Sequence, residues 1–201
     1  MKKLIAVLGL LFVLSIALPG YAAQGFYLGT GLGLAVPSQG GDVLNEVNPE
    51  TGFAWEIVHL GFNFTDNLGI GMQLGTVGGP TDWEPDHDLI WGEDYLTFSG
   101  RYTFTGSDFE PYVEAGPGIY TYSLIADRWD GLSDTALGAR VALGGNFNMG
   151  HLYLTPELSY HFVNFDHMDV NDDDFGDYTV DFHSRGDMLL LLLKIGYQFG
   201  H

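Results

Sequence analysis

The stretch Met188-Leu-Leu-Leu-Leu-Leu-Lys-Ile-Gly-Tyr-Gln-Phe199 decides the fold class. Read at a period of two, Leu189, Leu191, Leu193, Ile195, Tyr197 and Phe199 share one face, and Met188, Leu190, Leu192, Lys194, Gly196 and Gln198 share the other. An apolar face ending in a Tyr/Phe pair, backed by a face that holds a lysine and a glutamine, fits a strand with lipid on one side and a closed barrel interior on the other. The five consecutive leucines do not make a membrane helix. A helical span takes about 20 apolar residues, and Lys194 and Gly196 follow at once.

The same alternation runs backwards through seven more segments, at roughly 26–36, 53–64, 68–78, 93–104, 109–123, 135–147 and 152–165. Each matches or exceeds the ~9–11 residues that a tilted strand needs to cross a bilayer. Leu68, Ile70, Met72 and Leu74 make one apolar face, and Leu137, Ala139, Val141 and Leu143 another. The opposite faces are small or polar, as in Gly29, Gly31 and Gly33, or Tyr95, Thr97, Ser99 and Arg101. Alternation alone fits a soluble β-sandwich equally well, with the faces exchanged. The connections separate the two. Thr65-Asp66-Asn67, Thr105-Gly106-Ser107-Asp108 and Asn148-Met149-Gly150-His151 are short and turn-like. The links at about 37–52, 79–92, 124–134 and 166–187 are long and polar. Short links alternating with long ones, over an even strand count, are the pattern of membrane barrels. Phe62, Phe64, Tyr102, Phe104, Phe109, Phe147, Tyr197 and Phe199 all fall beside the short-link end, where an aromatic girdle is expected. The expected fold is all-β: an eight-stranded antiparallel up-and-down transmembrane β-barrel.

The start of the chain reads as a secretory signal over residues 1–22, with the barrel domain over 23–201. Lys2 and Lys3 form a charged head, Leu4 to Leu18 an apolar stretch, and Tyr21-Ala22-Ala23 a small-residue cleavage site after Ala22 or Ala23. There is no cysteine, so neither a lipid anchor on cysteine nor a disulfide is available. The formal charge is −19, and loss of Lys2 and Lys3 would deepen it by two. A chain this acidic does not bind nucleic acid by neutralising phosphates.

Three passages then resemble a known family. Gly25-Phe-Tyr-Leu-Gly-Thr-Gly-Leu-Gly33, Pro111-Tyr-Val-Glu-Ala-Gly-Pro-Gly-Ile-Tyr120 and Lys194-Ile-Gly-Tyr-Gln-Phe199 are similar to the first, a middle and the closing strand of small eight-stranded outer-membrane barrels of the OmpA, OmpX and OmpW kind. The resemblance covers the whole mature chain. It implies a location in the bacterial outer membrane, insertion by the barrel-assembly machinery, and a monomer. Such barrels usually end on the aromatic residue, whereas Gly200-His201 follow here.

Eight strands enclose a lumen that side chains can fill. The inward positions hold Arg101, Arg140, Lys194, Glu114 and Glu157, and these should pair, because an isolated buried charge costs several kcal/mol. Arg101 and Glu114 flank a short turn at similar depth and are expected to interact. His161 completes the expected polar network. Glu157, Ser159 and His161 alternate on one strand, which raises a Ser/His/Glu hydrolase acting on lipid A. Residues at i and i+2 stand about 6.5–7 Å apart along a strand, which places Ser159 and His161 beyond hydrogen-bond reach.

Most of the 26 acidic residues fall in or beside the long links, with Arg128 and Arg185 among them. Asp169-Val-Asn-Asp-Asp-Asp174 has oxygens at alternate positions but lacks the glycine and the closing glutamate of an EF-hand. Asp169, Asn171 and Asp173 are therefore candidates for weak Ca²⁺ or Mg²⁺ binding, and no other cofactor is implied. An acidic rim of this kind suits ion bridges to the phosphates of lipopolysaccharide. The leading expectation is a non-enzymatic outer-membrane barrel with a structural or surface-interaction role and acidic extracellular loops. The alternatives are a narrow channel for small or apolar solutes and a lipid A-modifying acyl hydrolase.

Overall fold

A computed structural model describes residues 25–38, 48–81, 90–104, 109–126, 129–170 and 178–199. Within them the strands are β1 (Phe26–Pro37), β2 (Gly52–Asn63), β3 (Leu68–Pro80), β4 (Ile90–Thr103), β5 (Phe109–Ala126), β6 (Trp129–Met149), β7 (Leu152–Val170), β8 (Tyr178–Arg185) and β9 (Met188–Phe199). Every pairing is antiparallel, and consecutive strands from β1 to β7 are neighbours. The stretch that opened the sequence reading closes the barrel: β9 pairs with β1 on one side and with β7 on the other. β8 continues the register of β9 up the same edge of β7. The two are one barrel strand interrupted at Gly186-Asp187, so the barrel has eight strands. Among the described residues there is no helix.

The interruption has a local cause. The Asp187 carboxylate accepts the Val163 N–H at 3.0 Å, taking the place of a ladder carbonyl, while Gly186 N–H donates to the Val163 carbonyl at 3.0 Å. On the other side Ser38 N–H donates to the Asp187 carbonyl at 2.7 Å, which extends the β1–β9 ladder by one step. The backbone kinks without leaving these groups unpaired.

Burial is inverted relative to a soluble sandwich. Leu32, Leu34, Ile70, Phe98, Val141, Leu143, Leu191, Leu193 and Ile195 are exposed, Leu137 to 80%. Glu56, His59, Gln73, Arg101, Glu114, Arg140, Glu157 and Lys194 are buried. This is the arrangement that lipid, not water, would solvate. At the short-link end the rings touch in a belt: Phe26 with Phe199 at 5.6 Å, Phe62 with Phe64 at 5.4 Å, Tyr102 with Phe104 at 5.0 Å and Phe109 with Phe147 at 4.6 Å. At the far end Thr76, Asp94, Thr121 and Thr135 lie side by side on β3 to β6 and face outward, which ends the apolar band there.

Four strand ends rise higher than the apolar alternation suggests. The segment 124–134 is not a long loop, because β5 and β6 run on until Ala126 pairs with Trp129. Nor is 166–187 a loop throughout, since β7 and β8 form a hairpin over much of it. Charged and polar residues interrupt both regions, so the apolar alternation that marks a membrane span stops while the hydrogen-bonded ladder continues. Asp134, read as a loop acid, faces inward from β6 and is buried.

Inward tyrosines account for several of the glycines. Tyr27 pairs with Gly61, Tyr95 with Gly75, Tyr112 with Gly144 and Tyr153 with Gly196. In each pair a Cβ on the glycine would overlap the partner's ring. The ring lies across the bare backbone, so a bulky residue fits inside a narrow barrel.

Candidate functional site

The inward faces of seven barrel strands converge on one buried ionic network. β4 supplies Ser99 and Arg101, β5 supplies Tyr112 and Glu114, β6 supplies Arg140, β7 supplies Glu157 and β9 supplies Lys194. β2 adds Glu56 and His59, and β3 adds Gln73. β1 contributes space, since a Cβ on Gly31 would press on the Lys194 stem.

Glu114 sits between two guanidinium groups. Arg101 Nη2 lies 2.7 Å from its Oε2, and Arg140 Nη1 lies 2.7 Å from its Oε1. Ser99 Oγ also donates to Glu114 Oε1 at 2.6 Å, and Gln73 Nε2 donates to the same oxygen. Arg140 reaches onward to Glu157 Oε1 through Nη2 at 2.5 Å. Glu157 Oε2 accepts from Tyr112 Oη at 2.5 Å and lies 2.8 Å from Lys194 Nζ. Lys194 closes the chain on Glu56 at 2.8 Å. Three cations therefore alternate with three carboxylates. Such a chain suits a dry interior, because each charge has an opposite partner and its remaining hydrogen-bonding positions are largely filled. Arg101 is also sandwiched between rings, its Cζ 4.0 Å from the Tyr112 centroid and 4.7 Å from that of Tyr27. Its Nη2 lies 2.9 Å from His59 Nε2. An arginine can only donate, so His59 Nε2 accepts and Nδ1 carries the proton, 3.5 Å from Glu56 Oε1.

Arg101 and Glu114 thus meet as the sequence suggested, and Arg140, Glu157 and Lys194 join them. The sequence reading counted three inward cations but only two inward anions, because Glu56 has the parity of outward Val58. A β-bulge explains the miss. The registers of β2 with β1 and with β3 both shift between Glu56 and Val58 or His59. Ile57 and Val58 then both turn outward, while Glu56 and His59 both turn inward. The imbalance between inward cations and anions was the one signal that pointed to a missing carboxylate.

His161 stands apart from the ionic chain. Its ring lies 4.9 Å from Tyr95 and 5.5 Å from Tyr120, edge to face in both cases. Ser159 Oγ is 3.4 Å from His161 Nε2, which corrects the expectation that they are out of reach. The i, i+2 spacing separates backbones, whereas the two side-chain tips come to 3.4 Å. A relay is still not assembled. His161 Nδ1 has no partner among the described residues, and Glu157 is engaged by Arg140, Lys194 and Tyr112. Both side chains are fully buried in the lumen, away from lipid.

Above the ionic layer lies an apolar one. Trp91, Tyr95, Tyr120, Tyr122, Leu124, Phe165, Met188, Leu190 and Leu192 form a buried cluster on the side of the long links. Of the candidate divalent site, Asn171 and Asp173 lie outside the described residues. Only the backbone of Asp169 is described, at the outer end of β7 opposite Thr179. Among the described residues, no group of three or more acidic or histidine side chains gathers to hold a metal.

Known proteins with this architecture come from bacterial outer membranes. OprG of Pseudomonas aeruginosa has 15% identity and a TM-score of 0.65, over 91% of this chain and 99% of that one. A major outer membrane protein of Thermus thermophilus has 15% identity and a TM-score of 0.60, over 87% and 98%. Ail, the attachment invasion locus protein of Yersinia pestis, has 14% identity and a TM-score of 0.53, over 88% and 99%. At these identities the likeness is one of fold. No curated protein matches the sequence. A family model described as the outer membrane protein beta-barrel domain matches residues 4–185, and the chain belongs to that family.

Proposed function

We propose that this member of the outer membrane protein beta-barrel family serves a structural or surface-interaction role, without catalysing a reaction. The observation that carries the reading is the filled lumen, with a neutral ionic layer below and an apolar layer of Trp91, Tyr95, Tyr120 and Phe165 above. An eight-stranded barrel is narrow enough for side chains to fill it. Function then falls to what the barrel presents outside the membrane, where acidic residues dominate the sequence between strands. Outer-membrane lipid is the solvent of the apolar band. Phosphates of lipopolysaccharide, bridged by Ca²⁺ or Mg²⁺, are the surface partners that an acidic rim suits. The barrel is proposed to act as a monomer after insertion by the assembly machinery.

A narrow channel is the second reading. It is favoured by buried hydroxyls with no hydrogen-bond partner among the described residues, namely Tyr27 Oη and Tyr153 Oη, which ordered water would satisfy. Single-channel recording in planar bilayers tests both. The closed barrel is expected to give no defined steps. Reproducible steps that change when Gln73 or Ser99 is enlarged would establish conduction and overturn the structural reading.

A further inference from the structure

A small chamber opens at the outer mouth, beyond the outward row of Asp94 and Thr121 that ends the apolar band. Pro37, Pro49, Trp91, Glu93, Tyr122, Arg185, Asp187 and Met188 wall it, and its volume is about 20 Å³. Glu93 and Asp187 belong to the acids that the sequence reading assigned to the solvated rim. The structure buries both, Glu93 to 2% exposure and Asp187 to 5%. Asp187 is occupied, accepting from Val163 N–H, from Tyr160 Oη at 3.3 Å and from Arg185 Nη2 at 3.0 Å. Glu93 is not. Its Oε1 has no hydrogen-bond partner among the described residues, and neither has the Tyr122 hydroxyl on the same wall. Burying a carboxyl and a phenol side by side without partners costs free energy that a ligand would recover.

We propose that this chamber binds a primary ammonium group carried by a ligand at the outer surface. A space of this size takes one water-sized group, since a single water needs roughly 10–15 Å³. An –NH₃⁺ tip has that size and three donors. Glu93 Oε1 and the Tyr122 oxygen stand ready to accept, with Asp187 supplying a negative charge beside them. A quaternary ammonium has no N–H to offer these oxygens. A hard divalent cation seeks about six to eight oxygens, whereas no group of three or more acidic or histidine side chains gathers among the described residues. Trp91 and Met188 line the remaining wall with apolar surface, which suits the alkyl stem next to the charge. Arg185, 64% exposed at its side chain, brings a competing positive charge to the entrance.

The test uses the full barrel in lipid nanodiscs, isotope-labelled for NMR. The probe is 1,4-diaminobutane, with tetramethylammonium chloride and calcium chloride compared at matched ionic strength. Two signals are followed: the Glu93 side-chain carboxyl, assigned from Glu93→Gln, and the Trp91 indole N–H. Diaminobutane is expected to shift both with saturation, and tetramethylammonium is not. Glu93→Gln should abolish the saturable Trp91 shift while keeping the heat-dependent gel mobility of a folded barrel. Arg185→Gln should tighten binding. A linear drift without saturation would overturn the proposal. So would an equal response to tetramethylammonium, saturation by Ca²⁺ at lower concentration than by the amine, or an unchanged Trp91 response in folded Glu93→Gln.

Discussion

Arg140 is the residue on which the lumen turns. It joins two carboxylates from neighbouring strands, Glu114 on β5 and Glu157 on β7, and all three side chains are shut away from solvent. Removing it leaves Glu114 with Arg101 and Glu157 with Lys194, two anions that have each lost a cation. Breaking a buried pair from one side costs about 3–5 kcal/mol. Arg140→Met is therefore expected to lower the unfolding free energy by that order, read from the folded and unfolded gel bands of a urea series in lipid vesicles. Neutralising one stranded acid in Arg140→Met/Glu157→Gln restores the balance, Arg101 with Glu114 and Lys194 with Glu56, and should recover a large part of the loss. A double variant no more stable than the single one would show that packing, not charge, sets the cost. Ser159→Ala is a useful contrast, since the approach of its hydroxyl to His161 is long, at 3.4 Å. It should change stability little.

At the scale of the element, the wall depends on pairs that the order of strands does not reveal. Gly196 on β9 faces Tyr153 on β7, and the phenol ring lies where a Cβ would stand. Gly196→Ala should force that ring off its rotamer and cost about 1–3 kcal/mol, seen as a lower urea midpoint. Tyr153→Ala in the same chain should reduce the penalty without abolishing it, because the ring is then gone while the Leu28 carbonyl stays 2.6 Å from that Cβ. If Gly196→Ala is neutral, the ring is not held as described. Such pairs also mark what was legible in the sequence. The period of two disclosed every strand face on which it was unbroken, including all of β9, and with it Arg101 against Glu114. It failed at Glu56, where the extra residue of the β2 bulge inverts parity with no glycine or proline to announce it. It failed again above the membrane, where β5 to β8 continue as hydrogen-bonded ladder after the apolar alternation has ended. Glu93 and Asp187 were misplaced for a related reason. An acid in a polar stretch reads as solvated, and only the three-dimensional closure of β4 against the Gly186-Asp187 kink encloses them.

For the whole molecule, the decisive fact is which face meets which medium. Leu193 lies near mid-height on β9, paired with Leu32 of β1 and Pro156 of β7, and its side chain is exposed. Leu189 lies four residues nearer the outer edge of the same face, level with Val36 and Tyr160. If lipid surrounds this face, the penalty for a charge must depend on depth. An arginine near the bilayer midplane of a barrel costs about 2–4 kcal/mol, and one near the interface about 0–1. Leu193→Arg should thus destabilise the barrel in vesicles by at least about 1 kcal/mol more than Leu189→Arg does. A water-exposed face has no such gradient, and both substitutions would then be nearly neutral, as exposed surface changes usually are. The measurement is the pair of urea midpoints, each variant refolded into the same vesicles. A difference that grows as the host bilayer is thickened would fix the depth of Leu193 as well as the identity of the solvent. Equal, small effects would mean that the leucine face is not the lipid face, and the inward charges would then need another explanation than a membrane outside them.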